Sequence, residues 1–204
     1  LEAEITLDKN LPAAAGIGGG SSDAAATIRA LSAAHGVALP DAKTMLVLGA
    51  DVPVCMHNNL MRMRGIGEDL TSIGEPPDWP MILVNPGVGV PTGPVFSRLA
   101  SKTNPPMTGS FPLHSDRDAQ VDWLLQQRND LQAPAIAIEP VIGRVLSVLE
   151  KAEGCLLARM SGSGATCFAI MESEATRDAS VKALRAAHPC WWVAPTQRCG
   201  SAFR

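Results

Sequence analysis

Apolar positions repeat along the chain with two different spacings, which together predict a mixture of strands and helices. The segment Leu1–Leu7 alternates apolar and polar residues, and a spacing of two is typical of a half-buried strand. Ala24, Ile28 and Leu31 are spaced four and three apart, which places them on one face of a helix. A strand that starts at the first residue has no partner before it, so we expect a preceding N-terminal piece to be absent from this sequence.

The rest of the chain is predicted to interleave strands and helices without a regular alternation. Short apolar or alternating runs predict strands at 60–64, 69–73, 81–84, 155–160, 166–171 and 191–194. Helices are predicted at 24–31, 42–48, 93–100, 118–127, 139–151 and 175–187. This irregular order favours an α+β fold over a doubly wound sheet. Glu75-Pro76-Pro77-Asp78 interrupts the pattern, so we expect one domain over residues 1–76 and a second over 77–204.

Composition and charge indicate a globular protein with a small-molecule ligand. The sequence is 46% hydrophobic and 18% charged, with a formal net charge of −3 and no block of basic residues. Proteins that bind nucleic acids or acidic membranes usually carry a basic patch, so we expect neither partner. No apolar run reaches the length of a membrane-spanning helix.

The cysteines and histidines predict no disulfide framework and no zinc site. Cysteine occurs five times, at scattered positions without a CxxC pair, and the four histidines lack the spacing of metal ligands. An odd number of scattered cysteines is typical of free thiols in a reducing compartment. We therefore expect a cytoplasmic protein without a zinc site.

A glycine-rich segment lies between the first predicted strand and the first predicted helix. It reads Pro12-Ala13-Ala14-Ala15-Gly16-Ile17-Gly18-Gly19-Gly20-Ser21-Ser22. Glycines let a bound group approach the backbone, and a helix that follows points its free N–H groups and positive dipole end at that group. Ser21 and Ser22 add hydroxyls for phosphate or Mg²⁺, and either is a suitable helix N-cap. The pattern predicts a polyphosphate site, and the alternative is a flexible turn without a ligand.

Three stretches, in this order, resemble signatures of the GHMP kinases, the family of galactokinase, homoserine kinase, mevalonate kinase and phosphomevalonate kinase. Leu11–Ala25 is similar to the family's ATP-phosphate loop, in the version found in CDP-methylerythritol kinases. Leu48–Pro53 resembles the segment that carries the catalytic aspartate. Met160–Phe168 resembles the third signature, a second glycine turn with Gly162, Ser163 and Gly164 at its centre. Weaker agreement covers Pro91-Thr92-Gly93-Pro94-Val95-Phe96 and Asn129-Asp130-Leu131.

The resemblance implies a two-domain α+β architecture. Its N-terminal part would resemble domain 2 of ribosomal protein S5, and its C-terminal domain would be ferredoxin-like. The implied activity is that of an ATP- and Mg²⁺-dependent transferase. It would phosphorylate the 2-hydroxyl of CDP-methylerythritol in the non-mevalonate pathway of isoprenoid synthesis.

The resemblance also implies roles for individual residues, each with a structural alternative. Asp51 would be the catalytic group that accepts the hydroxyl proton, or a helix-end aspartate bonded within a local turn. Lys9 would reach a substrate phosphate, or be an exposed lysine at a strand end. Thr92 and Phe96 would line the substrate side, with a core phenylalanine as the alternative for Phe96. Asp23, expected in the first helical turn, would stabilise the helix or help to hold metal.

Two other functions remain open at this point. The first is a different GHMP kinase, such as homoserine kinase, against which the Gly-Ala-Asp-Val-Pro stretch argues. The second is nucleotide binding without catalysis. Nothing in the sequence matches the family's first signature, which supplies a catalytic lysine and part of the cytidine pocket.

Overall fold

The computed structural model describes residues 2–196, which form two compact units. The first unit comprises residues 2–13 together with Gly18–Pro76, and the second comprises Ala14–Ile17 together with residues 77–196. The four residues Ala14–Ile17 therefore belong to the second unit, although the chain on both sides of them belongs to the first.

The described part of the first unit contains three helices and a two-stranded sheet. These elements are α1 (Gly19–His35), α2 (Ala42–Met45), α3 (Val52–Cys55), β1 (Leu60–Arg64) and β2 (Asp69–Gly74). The two strands are antiparallel, with Arg64 opposite Asp69 beside the connecting turn. Helix α1 packs against α3, so the glycine-rich entry to α1 and the segment after Asp51 lie in one unit.

Helix α1 begins earlier than the sequence predicts. Gly18 is its N-cap, with a left-handed φ of 68°, and no side chain caps the helix. The prediction that Ser21 or Ser22 caps α1 is therefore wrong, because Gly19 and Gly20 already form its first turn. The helix ends at His35, and its C-cap Gly36, also left-handed, donates its N–H to the carbonyl of Ser32.

Residues 2–10 do not form the predicted strand. They have no regular secondary structure, and Ile5 and Leu7 are 62% and 61% exposed. An alternating sequence needs a neighbouring strand to satisfy its backbone groups, and none of the described strands pairs with this segment.

The second unit is built around a four-stranded antiparallel sheet with the order β4-β5-β3-β6. The strands are β3 (Met81–Asn85), β4 (Cys155–Met160), β5 (Cys167–Met171) and β6 (Trp192–Thr196). The helices are α4 (Thr92–Ser97), α5 (Arg117–Leu125), α6 (Gln132–Ile138), α7 (Val141–Glu150) and α8 (Glu174–Ala187). The first and third strands of the unit form the centre of the sheet, which is the order of a split βαβ, ferredoxin-like domain.

The main core of the second unit lies between the sheet and helices α7 and α8. Ile82, Val84, Ile142 and Leu149 are fully buried in this core. Helix α7 is apolar along one face because its buried residues recur at helical spacing. A smaller cluster with Val121 of α5 covers Leu157 and Ile170.

The cysteines of the described residues are all free thiols. Cys167 is buried, Cys55 and Cys155 are half-buried, and Cys190 is exposed. Cys199 lies outside the described residues. No helix in residues 2–196 combines the length and the apolar character that crossing a bilayer requires.

Candidate active site

The start of helix α1 has the chemistry of an anion site. Because no side chain caps the helix, the N–H groups of its first turn are not bonded by a cap and point out of the helix end. A Cβ placed on Gly20 would meet nothing within 4 Å, and one on Gly19 would lie 3.5 Å from Lys9 Nζ. Open backbone N–H groups therefore lie next to an ammonium group.

Lys9 is paired with Asp23, one helical turn into α1. The distance from Lys9 Nζ to Asp23 Oδ2 is 2.6 Å, and both side chains are about one third exposed (35% and 39%). Asp23 lies beyond the first turn, in contrast to the prediction, because the helix begins at Gly19. The ion pair orients the Lys9 ammonium toward the N-terminal end of α1.

Ser22 bonds sideways from α1 to α3. Its Oγ donates to Cys55 Sγ at 3.6 Å, and a Cβ on Gly18 would lie 4.0 Å from the same sulfur. Ser21 Oγ lies 3.9 Å from the corresponding position on Gly49. The two serines thus face the segment that leads from Gly49 into α3.

Asp51 lies at the N-cap position of α3 with an exposed carboxylate. Its side chain makes no cap hydrogen bond, so the alternative of a local helix-capping role is not observed. The next two residues, Val52 and Pro53, are buried. The backbone beneath Asp51 is therefore anchored by packing, while the carboxylate remains exposed.

The predicted cofactor segment is divided between the two units. Pro12 and Ala13 lie in the first unit without regular structure, and Gly18–Ser22 enter α1 there. Ala14–Ile17 pack within the second unit, where Ala15 is 4% exposed. Ala14 has a φ of 49°, which is uncommon for a residue with a side chain.

Within the second unit, Gly16 packs directly against the third glycine signature. Ser161 Oγ donates to the Gly16 carbonyl at 2.8 Å, and the Thr166 N–H donates to the Ala15 carbonyl at 3.1 Å. A Cβ on Gly16 would lie 2.6 Å from the Ser161 carbonyl oxygen, and one on Gly162 would lie 2.8 Å from the Gly16 carbonyl oxygen. Both positions require glycine because the two backbones touch.

Thr92 and Ser163 meet in the same unit, which joins a predicted substrate residue to the third signature. Their hydroxyl oxygens are 3.0 Å apart, and Ser163 is 8% exposed. Phe96, one turn after Thr92 on α4, is 48% exposed. The alternative that Phe96 is a core residue is therefore wrong for the described unit.

Sequence reasoning missed two side chains, those of Asn129 and Asn85, that donate hydrogen bonds to the third signature. Asn129 Nδ2 donates to the carbonyls of Met160 and Gly162, and Asn85 Nδ2 donates to Thr166 Oγ1 at 2.9 Å. The weak agreement at Asn129-Asp130-Leu131 was the available signal for Asn129. No comparable signal pointed to Asn85.

No protein-only metal centre is visible in residues 2–196. No group of three or more histidine, cysteine, aspartate or glutamate side chains lies close enough together there to hold an ion. Any metal at this site would therefore need ligands other than a cluster of such side chains.

Comparison with protein families finds the same kinase family in both halves of the chain. The GHMP kinases N terminal domain matches residues 1–59, and the GHMP kinases C terminal model matches residues 118–190. Among curated proteins, the chain is 50% identical over 200 residues to 4-diphosphocytidyl-2-C-methyl-D-erythritol kinase of Cereibacter sphaeroides (strain ATCC 17025 / ATH 2.4.3). That match covers 97% of this chain and 72% of the relative.

Solved structures agree with this result. A crystal structure of 4-(cytidine 5'-diphospho)-2C-methyl-D-erythritol kinase matches with a TM-score of 0.74 and 29% identity, over 94% of this chain and 70% of that one. Homoserine kinase from Cytophaga hutchinsonii matches with a TM-score of 0.69 and 16% identity, over 93% and 68% of the two chains. The latter likeness shows a common fold. Because both GHMP kinase models match and a relative is 50% identical over 200 residues, the chain belongs to the GHMP kinase family.

Proposed function

We propose that this chain phosphorylates the 2-hydroxyl of 4-diphosphocytidyl-2-C-methyl-D-erythritol with ATP, a step of the non-mevalonate isoprenoid pathway. The observation that carries the proposal is its 50% identity, over nearly its whole length, to a kinase named for that substrate. Family membership makes the chain an ATP-dependent small-molecule kinase. The residue roles below are part of the proposal.

The phosphates of ATP would be held by the cofactor segment Pro12–Ser22. Its residues at the start of α1 offer uncapped N–H groups and the positive end of a 17-residue helix. The glycines leave the backbone open to phosphate oxygens, and Lys9 adds a positive charge beside Gly19. These features fit a polyphosphate and support its binding here.

Mg²⁺ bound with ATP would neutralise charge on the phosphate oxygens. The protein oxygens at this end of α1 are the hydroxyls of Ser21 and Ser22 and the Asp23 carboxylate, and Mg²⁺ prefers such oxygen ligands. Mg²⁺ typically keeps substrate phosphates and water among its ligands, which agrees with the lack of an acidic cluster among the described residues.

Asp51 would act as the general base. In phosphoryl transfer the acceptor hydroxyl must point at the γ-phosphate, and a carboxylate can orient it and accept its proton. The Asp51 carboxylate is exposed and not engaged in capping α3. It is therefore accessible to a substrate hydroxyl.

Thr92 and Phe96 would contact the alcohol substrate. The exposed ring of Phe96 offers a face on which a base can stack, and the bond between Thr92 and Ser163 fixes the start of α4 against the third signature. We propose a cytoplasmic enzyme with small-molecule partners, in keeping with the free thiols of the described residues.

A substrate panel tests the proposal. ADP release would be measured from ATP and Mg²⁺ with 4-diphosphocytidyl-2-C-methyl-D-erythritol, with homoserine, with mevalonate and without an alcohol. The protein would be assayed with EDTA as the control for the metal. We expect turnover that depends on the first alcohol and on Mg²⁺.

Three outcomes would contradict the proposal in different ways. Turnover with homoserine or mevalonate instead would assign another GHMP substrate. ATP binding by the folded protein without turnover would assign a binding role. Turnover that persists in EDTA would remove Mg²⁺ from the mechanism.

A further inference from the structure

The side chain of Asn129 lies against the third glycine signature, and both its amide nitrogen and its amide oxygen make hydrogen bonds. Nδ2 donates to the Met160 carbonyl at 2.9 Å and to the Gly162 carbonyl at 2.8 Å. Oδ1 accepts the Leu131 N–H at 3.0 Å. Because Leu131 holds the oxygen, the two amide hydrogens must face the turn.

Gln132, the first residue of α6, also bonds to Met160, but its side chain accepts a hydrogen bond where that of Asn129 donates one. Its Oε1 accepts the Met160 N–H at 3.1 Å, while its own N–H donates to the Asn129 carbonyl at 3.0 Å. One amide side chain thus acts as a donor to Met160 and the other as an acceptor from it. The segment 129–132 binds both main-chain polar groups of the residue from which the glycine turn starts.

The turn that Asn129 holds is the one that touches Gly16. Ser161 and Gly162 follow Met160 directly and make the contacts to the Gly16 carbonyl. The two backbones are closely packed there, since a Cβ on Gly162 would lie only 2.8 Å from that oxygen. A displacement of the turn is therefore passed to the Ala14–Ile17 part of the loop.

We propose that Asn129 is a positioning residue for nucleotide binding. Its two N–H donors set the place of the Ser161–Gly162 backbone, and that backbone sets the place of Gly16. The inference rests on the proposed function, in that the ligand of the Gly16 loop is taken to be ATP.

The test compares two amide-to-carboxylate substitutions in the otherwise unchanged protein. Asn129→Asp turns a donor into an acceptor that faces two carbonyls, whereas Gln132→Glu keeps an acceptor for the Met160 N–H. Asn129→Ala removes the donor without adding charge and serves as the second variant if Asn129→Asp does not fold.

Two measurements read the result. The first is amide hydrogen exchange at Thr166, whose N–H bonds to Ala15 across the contact. The second is the set of KM values for ATP and for the alcohol. We expect Asn129→Asp to speed exchange at Thr166 and to raise the KM for ATP by about 10- to 100-fold, the scale of two lost hydrogen bonds. The KM for the alcohol should change much less, and Gln132→Glu should affect both readouts less than Asn129→Asp.

Unchanged exchange and an unchanged KM for ATP in a folded Asn129→Asp or Asn129→Ala variant would overturn the inference. Equal effects of Asn129→Asp and Gln132→Glu would also overturn it, because general destabilisation would then explain both. A wild-type protein that binds no ATP would refute the proposed function and the nucleotide part of the inference. The exchange at Thr166 would still test whether Asn129 positions the turn.

Discussion

The Ser161 hydroxyl donates a hydrogen bond of 2.8 Å to the carbonyl oxygen of Gly16, across a sequence separation of 145 residues. The bond joins residues Ala14–Ile17 of the glycine-rich loop, which belong to the second unit, to the turn between β4 and β5. Gly16 and Gly162 lie in backbone contact at the same point. Two glycine segments that are far apart in sequence therefore form one packed element within the second unit.

Gly16→Ala is expected to lower both stability and ATP affinity. The new Cβ would lie 2.6 Å from the Ser161 carbonyl oxygen, and the φ of 71° is unfavourable for alanine. The left-handed backbone alone costs about 1–2 kcal/mol, and the overlap adds to it. Thermal unfolding and equilibrium ATP binding would measure the two effects. Gly89→Ala is the matched control, because a Cβ there meets nothing within 4 Å; equal losses in both variants would show that the Gly16 contact is unimportant.

Asp51→Asn is expected to lower kcat by about 10²- to 10⁴-fold, the usual contribution of a general base. Its melting temperature should stay at the wild-type value, because the carboxylate is exposed and does not cap α3. Steady-state ADP release and thermal unfolding are the measurements.

Asp41→Ala provides the contrast for Asp51. The Asp41 carboxylate accepts the Thr44 N–H at 2.7 Å, and this bond lowers the pKa of Asp41. Its contribution to stability is present above the unfolded-state pKa and is lost as pH falls through the lower folded-state pKa. Asp41→Ala should therefore lower the melting temperature at neutral pH and leave kcat unchanged. A full kcat in Asp51→Asn would remove Asp51 from the mechanism.

Lys9→Met is expected to raise the KM for 4-diphosphocytidyl-2-C-methyl-D-erythritol, whose phosphate Lys9 would reach, by about tenfold or more, the scale of one charged hydrogen bond. Stability should change little, since a partly exposed ion pair such as Lys9–Asp23 contributes about 0–1 kcal/mol. Lys102→Met, at an exposed loop position, is the control for a change in net charge. If both variants shift the KM equally, the effect is one of overall charge and Lys9 has no specific role.

The Cys167 thiol is expected to make stability fall at alkaline pH. Burial raises its pKa from 9.0 to about 12, so the unfolded chain ionises first as the pH rises. The thiol's contribution to the free energy of unfolding is fully present below pH ~9. It is lost between about pH 9 and pH 12, where the free energy of unfolding falls by up to about 1.4 kcal/mol per pH unit. Denaturant unfolding of wild type and Cys167→Ala across this range should show the difference between them narrowing with pH.

A thiol reagent checks the same burial directly. Exposed Cys190 should react in the native protein, whereas Cys167 should react only after unfolding. Native-state labelling of Cys167, or a stability difference that does not depend on pH, would contradict the prediction.

Local pattern was enough to predict most of the regular elements. The strands Leu60–Arg64 and Cys155–Met160 were predicted with their observed bounds, α8 was predicted to within one residue of its observed extent, and α1 was predicted over its central part only. These segments carry a clear period of apolar residues. The short helices α3 and α6 were missed because four and seven residues hold too few turns to show a period, and each contains a proline.

The family, the glycine-rich loops and the candidate residues could be identified without a structure, since these depend on residue type and order along the chain. The folded chain was needed to show that residues 2–10 form no strand and that Ser22 bonds to Cys55 rather than capping α1. It was also needed to show that Gly16 packs on Ser161 and Gly162, and that Asn129 donates hydrogen bonds to that turn. Backbone propensity acts over a few neighbouring residues, whereas such contacts exist only after folding has brought distant parts of the chain together.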